Sequence, residues 1–549
     1  MYDRSWFAAP ATAGALGRRA YHAALGLLFC LAVTAYAQTP EERAVEAIRR
    51  EVTAPSDDVA GYPLPVVSGW SGARSALSFS PDFQIDQVRH GQYLLPWFDL
   101  WEVPKLNAGD DYPSPKDPAY YEPGVAYVAA HRLPLCIPSV EWQLLMDRVS
   151  PEYAQHGGSV DHKIPLSPFD ATPPWYALGR EWARHPTVRR LQKLYPDPPL
   201  VLLVQDDEYP RVSPDDLHIR NDAHADAALT ARRRAMGDAW VQKYRALLQG
   251  FRDGLESPAW REHTIIVGFE QFLDSAMGRW HDWDTNSLYV PGRSEPWPYA
   301  WDGASVSYAL HDYAPDTDFT VWGPQIEAMN RVGELAAVRR AKPNYWFEIT
   351  TWDGSDIKAP GDKRDAKVRF LSAQGRPFTP SRYGGMVQFG MWLLRPRVVR
   401  EFRGEDDDRV RFGPYFNALL AAVARVHENP VLREFWRKGR LLPNPQAQHP
   451  YESNLPPELA ARQRWFLLDS PLNPPRPWEL TTALRIFSLA LERGQKPQRE
   501  WLVYAESPLD DFPDAEVTIP GGPRVHVHST PGGAFSRVSE NGVVRTIAQ

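Results

Sequence analysis

The chain has 549 residues, 43% of them hydrophobic, which is enough for one large core and a smaller second one. Its 61 basic and 68 acidic residues give a formal net charge of −7, so the surface offers no global attraction to nucleic acid. The 21 Trp and 23 Tyr suit a large core and also stacking on the apolar faces of sugar rings.

The first segment of the chain has the pattern of an export signal. Arg18 and Arg19 precede an apolar stretch at 23–37 that ends in Ala-Tyr-Ala. This pattern predicts a signal peptide over residues 1–37 and a periplasmic or secreted protein. The stretch is too short for a stable membrane span. Once it is removed, Cys136 is the one cysteine left, so no intrachain disulfide can form.

Eight apolar runs follow, and most are continuous rather than alternating, as in parallel strands covered on both faces. Helical patterns lie between them, clearest at Leu178–Tyr195, Ala223–Leu255 and Gln325–Arg340. The alternation predicts an α/β fold, specifically a (β/α)8 TIM barrel. An open doubly wound sheet would carry a Gly-rich turn after an early strand, and the sequence lacks one. The eight runs are Leu64–Trp70, Tyr93–Trp101, Leu133–Ser139, Leu200–Gln205, Thr264–Phe269, Ala304–Leu310, Asn344–Ile349 and Gly385–Trp392.

Beyond the eighth run the sequence changes character. We expect the barrel to occupy residues 38–440, with a closing helix at Tyr415–Val426, and a Pro-rich wrapping segment with a helix to occupy 441–496. Short strand patterns separated by glycine turns then predict a small C-terminal all-β domain over 497–549. Its predicted strands are Trp501–Ala505, Val517–Pro520, Arg524–His528 and Val543–Ile547, with turns at Gly521-Gly522-Pro523 and Asn541-Gly542.

Two glutamates close apolar runs and are the main catalytic candidates. Glu208 ends the segment that starts at Pro199, and Glu348 ends Asn344-Tyr345-Trp346-Phe347-Glu348. Catalytic groups of a (β/α)8 barrel sit at the carboxyl ends of its strands. Glycosidic bond cleavage needs two carboxylates, one as proton donor and one as nucleophile or base.

With these strand positions the chain resembles the clan of retaining glycoside hydrolases that includes β-galactosidases, cellulases and agarases. The resemblance rests on the (β/α)8 pattern of residues 60–420 and on a few short motifs. It implies that Glu208, after strand four, is the acid/base and that Glu348, after strand seven, is the nucleophile. It also implies that Trp392, near the end of strand eight, is a sugar platform.

The chain departs from the clan at one position beside the acid/base. The clan has Asn there, in contact with the sugar 2-hydroxyl, whereas this chain has Asp207. An aspartate could still accept that hydrogen bond, which makes Asp207 a substrate-binding candidate. It could equally be an acid itself, cap a turn, or bind a cation with Asp206 and Glu208.

Further residues at strand ends are candidates for the walls of the site, or else are structural. Glu270, after the fifth run, is the rival carboxylate. The wall candidates are Trp97, Trp142, His311 and Trp352.

The sequence therefore predicts an exported glycoside hydrolase that cleaves β-linked poly- or oligosaccharides with net retention. Such a mechanism requires no metal and no organic cofactor. Zinc-protease, nucleotide-binding and serine-hydrolase motifs are absent from the sequence. Two alternatives stay open: a non-catalytic carbohydrate-binding protein on a barrel scaffold, and a metal-dependent hydrolase that uses Asp206, Asp207, Glu208 and His311.

Overall fold

The computed structural model describes strands and helices of the molecule and the segments that connect some of them. The predicted signal peptide lies outside the described residues. These are 66–67, 94–95, 118–140, 171–206, 242–243, 245–270, 302–308, 325, 328, 346–350, 379–396, 399–402, 409–444, 466–473, 484–508 and 510–548.

Eight parallel strands form the first sheet. Its spatial order is β2-β1-β8-β7-β6-β5-β4-β3, so the first strand pairs with the last one in the sheet. Every described pair is parallel, which requires a long crossover between successive strands. A pair between β2 and β3, which would close the sheet, is not among the pairings of the described residues. The strands are β1 Val66–Val67, β2 Leu94–Leu95, β3 Leu135–Val140, β4 Val201–Asp206, β5 Thr264–Glu270, β6 Gly303–Tyr308, β7 Trp346–Thr350 and β8 Val399–Phe402.

Eight helices are described. The pattern at 178–195 predicts one helix, but the structure has two, because Pro186 lacks the N–H that a continuing helix needs. The closing helix predicted over 415–426 is confirmed within α7. The helices are α1 Pro118–Ala130, α2 Thr172–Ala183, α3 Pro186–Leu194, α4 over 245–254, α5 Pro258–His263, α6 Pro380–Leu394, α7 Arg409–Glu428 and α8 Pro430–Lys438. None of the helices so described is long and apolar enough to cross a membrane.

The first seven predicted strands are confirmed in position, and the eighth is wrong. Residues 385–392 belong to α6, and the eighth strand is Val399–Phe402. Thr379 caps α6 by accepting from the N–H of Arg382, and Pro380 stands in the first turn, where its missing N–H costs nothing. Every residue from 382 to 394 is buried. A helix covered on all sides has no polar stripe, so its sequence imitates that of a buried strand.

The C-terminal part of the chain forms antiparallel sheets. The larger sheet has the order β15-β14-β11-β10-β9, and β12 pairs with β13 in a separate hairpin. All four predicted C-terminal strands overlap described strands, but the one predicted at 517–520 shares only Val517 and Thr518 with its strand, which runs from Phe512 to Thr518. The turns at Gly521 and Gly542 have the positive φ angles of 68° and 80° that favour glycine. The strands are β9 Arg440–Leu441, β10 Phe487–Arg493, β11 Glu500–Glu506, β12 Phe512–Thr518, β13 Arg524–Ser529, β14 Ala534–Ser539 and β15 Val544–Ile547.

The larger antiparallel sheet extends beyond the segment predicted for it. Its strands β9 and β10 precede residue 497, within and next to the segment predicted as a wrapping segment with a helix. One face of this sheet packs on the hairpin in a core that contains Trp501, Val517 and Val527. The other face packs against α6, where the rings of Phe389 and Phe487 meet edge to face at 5.5 Å. Helix α6 is thus a packing partner of the C-terminal sheet.

Candidate active site

The carboxyl ends of the parallel strands bring acidic residues to one edge of the eight-stranded sheet. Asp206 ends β4 and Glu270 ends β5. Glu348 is the third of five residues in β7. Because all eight strands are parallel, these three positions lie toward the same edge of the sheet. That edge is where ligands bind in α/β sheets.

Strand register fixes the neighbours of Glu348. Its Cα lies opposite Ser307 of β6 on one side and Arg400 of β8 on the other. Neighbouring strands are about 4.7–4.9 Å apart, so both residues start within one strand spacing of Glu348. The sheet therefore places a cationic residue and a hydroxyl residue next to the predicted nucleophile.

Alternation along the strands divides the residues around Glu348 into two sets, because successive residues belong to opposite faces of a sheet. The first set includes Glu348, Arg400, Ser305 and Ser307. The second set is mainly apolar and contains Val306, Tyr308, Phe347, Ile349 and Val399, with Glu401 at its end.

The rival carboxylate Glu270 belongs to the second set. Its register partner on β6 is Val306, which in turn is level with Phe347. Glu270 and Glu348 therefore belong to different sets, which alternate between the two faces of the sheet. This register separates the rival from the predicted nucleophile.

Most of the other predicted site residues lie outside the described residues. The described part of the fourth strand ends at Asp206, two residues before Glu208. The predicted site residues outside the described part of the chain are Asp207, Glu208, Trp97, Trp142, His311 and Trp352.

Trp392 is the one predicted sugar-binding residue whose side chain is described, and its assignment is wrong. It lies in α6 rather than at the end of a strand, and its exposed fraction is 0%. Its ring packs against Trp436 of α8 at 5.0 Å and against Phe535 of β14 at 5.2 Å. A ring enclosed in this way has no free face for a sugar, so Trp392 is a core residue.

Arg400 is the residue that sequence reasoning missed. The eighth strand, Val399–Phe402, is short and only half apolar. A longer and more apolar run precedes it, and the strand was predicted in that run instead. The signal that could have found it is Pro380, which is typical of a helix start just before that run. Among the described residues, no group of three or more His, Cys, Asp or Glu is placed to hold a metal ion.

Comparisons with known proteins find similarity in solved structures alone. No protein-family model and no curated protein matches the chain. The GH36 α-galactosidase from Geobacillus stearothermophilus matches over 85% of this chain and 51% of its own, with 8% identity and a TM-score of 0.36. The GH51 arabinofuranosidase from Xanthomonas axonopodis pv. citri matches over 80% of this chain and 90% of its own, with 11% identity and a TM-score of 0.27.

An engineered protein matches about as well as these two glycoside hydrolases. It covers 92% of this chain and 96% of its own length, with 8% identity and a TM-score of 0.31. The chain spans only about half the length of the α-galactosidase that it matches. At such identities and scores the likenesses assign neither a family nor a substrate to the chain.

Proposed function

We propose that the protein is an exported glycoside hydrolase that cleaves β-glycosidic bonds of a poly- or oligosaccharide with net retention. The observation that carries this proposal is the position of Glu348. It lies in the seventh strand of an eight-stranded parallel sheet, with Arg400 and Ser307 as its register partners. A carboxylate in an otherwise apolar strand is costly unless it has a partner or a chemical task.

The strand order supports a closed (β/α)8 barrel as the scaffold. The order runs from β2 through β1 and β8 to β3, which is the circular order of a barrel interrupted between β2 and β3. One further pair, between those two strands, would complete the circle. In such a barrel the fourth and seventh strands stand on opposite sides of the central axis, so residues from both can face one substrate.

Counting along the register supports Glu208 as the partner of Glu348. Pairing through β5 places Gln205 of β4 level with Ala304 of β6. The next residue along β6, Ser305, pairs with Trp346 of β7, so residue 206 is level with Trp346. In the sequence, Glu208 is two residues beyond Asp206 and Glu348 is two residues beyond Trp346, which is why we propose Glu208 as the partner of Glu348. In this proposal the two carboxyl groups are about 5–5.5 Å apart, the separation of retaining enzymes.

The reaction then proceeds in two displacements. The Glu348 carboxylate attacks the anomeric carbon while the Glu208 carboxylic acid donates its proton to the leaving glycosidic oxygen. The Glu208 carboxylate next takes a proton from water, whose oxygen attacks the same carbon and breaks its bond to Glu348. Each displacement inverts the anomeric centre, so the overall reaction retains its configuration.

Arg400 has a defined task in this scheme. We propose that Arg400, the register partner of Glu348 on β8, favours the ionised form of the nucleophile, because a nearby positive charge lowers the pKa of a carboxyl group and the nucleophile must be ionised to attack. Asp207, Trp97, Trp142, His311 and Trp352 remain the proposed substrate-binding residues.

The proposal is tested with purified protein on plant and algal polysaccharides and on aryl β-glycosides. We expect cleavage with retained anomeric configuration. Nuclear magnetic resonance measures the anomeric configuration of the first product formed. Glu348→Gln should abolish cleavage of every substrate. Glu208→Gln should lower the polysaccharide rate by about 10²–10⁴-fold, the usual contribution of a general acid, and less for aryl groups that leave without a proton. Glu270→Gln, on the other alternation set, is the matched control and should keep most of the activity.

The same experiment separates the alternatives. Activity retained in Glu348→Gln contradicts the nucleophile assignment. Sugar binding without cleavage by the parent protein favours a carbohydrate-binding protein, and activity lost to a chelator favours a metal-dependent hydrolase. An inverted product excludes the double displacement.

A further inference from the structure

A buried acidic residue lies between the C-terminal sheet and helix α6. Glu506 is the last residue of β11, and its exposed fraction is 0%. Its Oε1 accepts a hydrogen bond of 2.7 Å from Nε2 of Gln325. Its Oε2 is 3.2 Å from the hydroxyl of Tyr504. A carboxyl group enclosed in this way is costly to ionise.

Two contacts of the Tyr504 hydroxyl fit a protonated Glu506. The Tyr504 hydroxyl is 2.8 Å from the carbonyl oxygen of Gly385 in α6 and 3.2 Å from Oε2 of Glu506. A phenol has one proton to donate, and a carbonyl and a carboxylate are both acceptors. Both contacts are hydrogen bonds at once if Glu506 is protonated. It then donates to the Tyr504 oxygen, and Tyr504 donates to Gly385.

The groups around Glu506 give the same direction. Burial raises the pKa of Glu506 to about 8, against the opposing effects of the hydrogen bonds from Gln325 and Tyr504 and of the charge on Arg382. Arg382, from α6, is the charged group that acts on Glu506 among the described residues. From α7, Arg425 donates to Gln388 and interacts electrostatically with Tyr504. The strand contributes Tyr504, and the turn beside it contributes the uncharged Thr530.

We propose that Glu506 is a pH-sensitive lock between the C-terminal sheet and α6. Its protonated carboxyl completes the hydrogen-bond chain from β11 through Tyr504 to the backbone of α6, and ionisation breaks that chain. Helix α6 and the C-terminal sheet approach each other closely at this contact, because a Cβ on Gly385 would lie 2.2 Å from the Pro531 carbonyl oxygen and 3.2 Å from the Glu506 carboxyl. The lock does not depend on the activity proposed above.

The direction of the pH dependence follows from linkage. The folded pKa lies above the unfolded one, so the stability that this group contributes is full below about pH 4.5 and is lost as the pH rises toward 8. Across that window the folding equilibrium constant should fall by up to about tenfold per pH unit on account of this one group. Above the folded pKa the effect should level off.

The test compares the parent protein with Glu506→Gln, which has nearly the same shape but cannot ionise. Glu428→Gln, an exposed position at the end of α7, is the matched control. The folding constant of each is measured by urea unfolding between pH 5 and 9.5. We expect the parent-to-Glu506→Gln ratio to fall steeply up to about pH 8, and the parent-to-Glu428→Gln ratio to stay nearly constant. If the ratio of the folding constants of the parent protein and Glu506→Gln does not change between pH 5 and 9.5, the proposal is overturned.

A second measurement needs no stable variant at position 506. The infrared band of a protonated carboxylic acid in the parent protein should persist at pH 7 and disappear near pH 9. Hydrogen exchange corrected for its intrinsic pH dependence should show α6 and β11 losing protection over the same interval. Absence of the band at pH 7, or uniform loss of protection across the molecule, contradicts the lock.

Discussion

At the scale of the residue, two adjacent glycines of α6 show how much position decides. A Cβ on Gly384 would meet the Ala418 side chain at 3.7 Å, which is ordinary van der Waals contact. A Cβ on Gly385 would lie 2.2 Å from a backbone oxygen of the turn at 531. The first glycine has space around it, whereas the second allows the C-terminal sheet to approach the helix closely.

We expect opposite effects from the same substitution at these two positions. Gly384→Ala should stabilise the protein by about 0.5–1 kcal/mol, because alanine loses less backbone freedom in a helix. Gly385→Ala should destabilise it by about 1–3 kcal/mol, the usual cost of overpacking a core. Urea unfolding of the two variants beside the parent protein measures both effects. Equal changes in the two variants would contradict the packing seen at Gly385.

At the scale of the element, Arg493 joins helix α8 to the C-terminal sheet. It forms ion pairs with Glu434 of α8 and Glu500 of β11, and its guanidinium lies 5.0 Å from the centre of the Phe435 ring. Its side chain is only 22% exposed, so water screens these contacts less than at the open surface. Arg440 pairs with Glu492 at 2.8 Å but is 53% exposed.

This contrast predicts unequal effects of removing the two arginines. Arg493→Met should lower the free energy of unfolding by about 1–3 kcal/mol, because it removes charge-assisted hydrogen bonds at a partly buried site, although Glu434 keeps Lys438 and Glu500 keeps Arg537 as partners. Arg440→Met should change it by less than about 1 kcal/mol, as is usual for an exposed pair. Denaturant midpoints at low and high salt provide the measurement. A loss at Arg493 no larger than that at Arg440 would show that α8 is held by apolar packing alone.

The strands and helices differ in how far their sequences reveal them. Strand β7 could be predicted because its apolar run is short. Helix α6 could not be distinguished by periodicity, since a helix buried between α7 and the C-terminal sheet carries apolar residues on all of its faces. The length of its apolar run and the Thr379-Pro380 start were the local signals for a helix. Short strands such as β8 are defined by their neighbours more than by their own residues.

At the scale of the whole molecule, the candidate site depends on contacts that no local pattern encodes. The position of Glu348 in a strand was predictable, whereas its register opposite Arg400 depends on the pairing of β7 with β8. Trp392 was misassigned because the two groups that enclose it, Trp436 and Phe535, come from distant parts of the chain. The same contacts connect the helix before β8 to the C-terminal sheet.

The C-terminal sheet is therefore an integral cover of α6, and its removal should expose the apolar face of that helix. A chain that ends at residue 483 lacks β10 to β15 and uncovers Trp392 and Phe389, two rings with an exposed fraction of 0%. Burial of an aromatic side chain contributes roughly 1.5–3 kcal/mol, so two exposed rings remove a large part of the stability of a typical domain. We expect this truncated protein to bind a hydrophobic dye, to lose its near-ultraviolet circular dichroism, and to aggregate.

A chain that ends at residue 541 lacks only the edge strand β15 and should stay folded with a lower denaturant midpoint. If the shorter chain instead remains soluble with native near-ultraviolet dichroism, α6 is held by the parallel sheet and α7, and the C-terminal sheet is an independent unit.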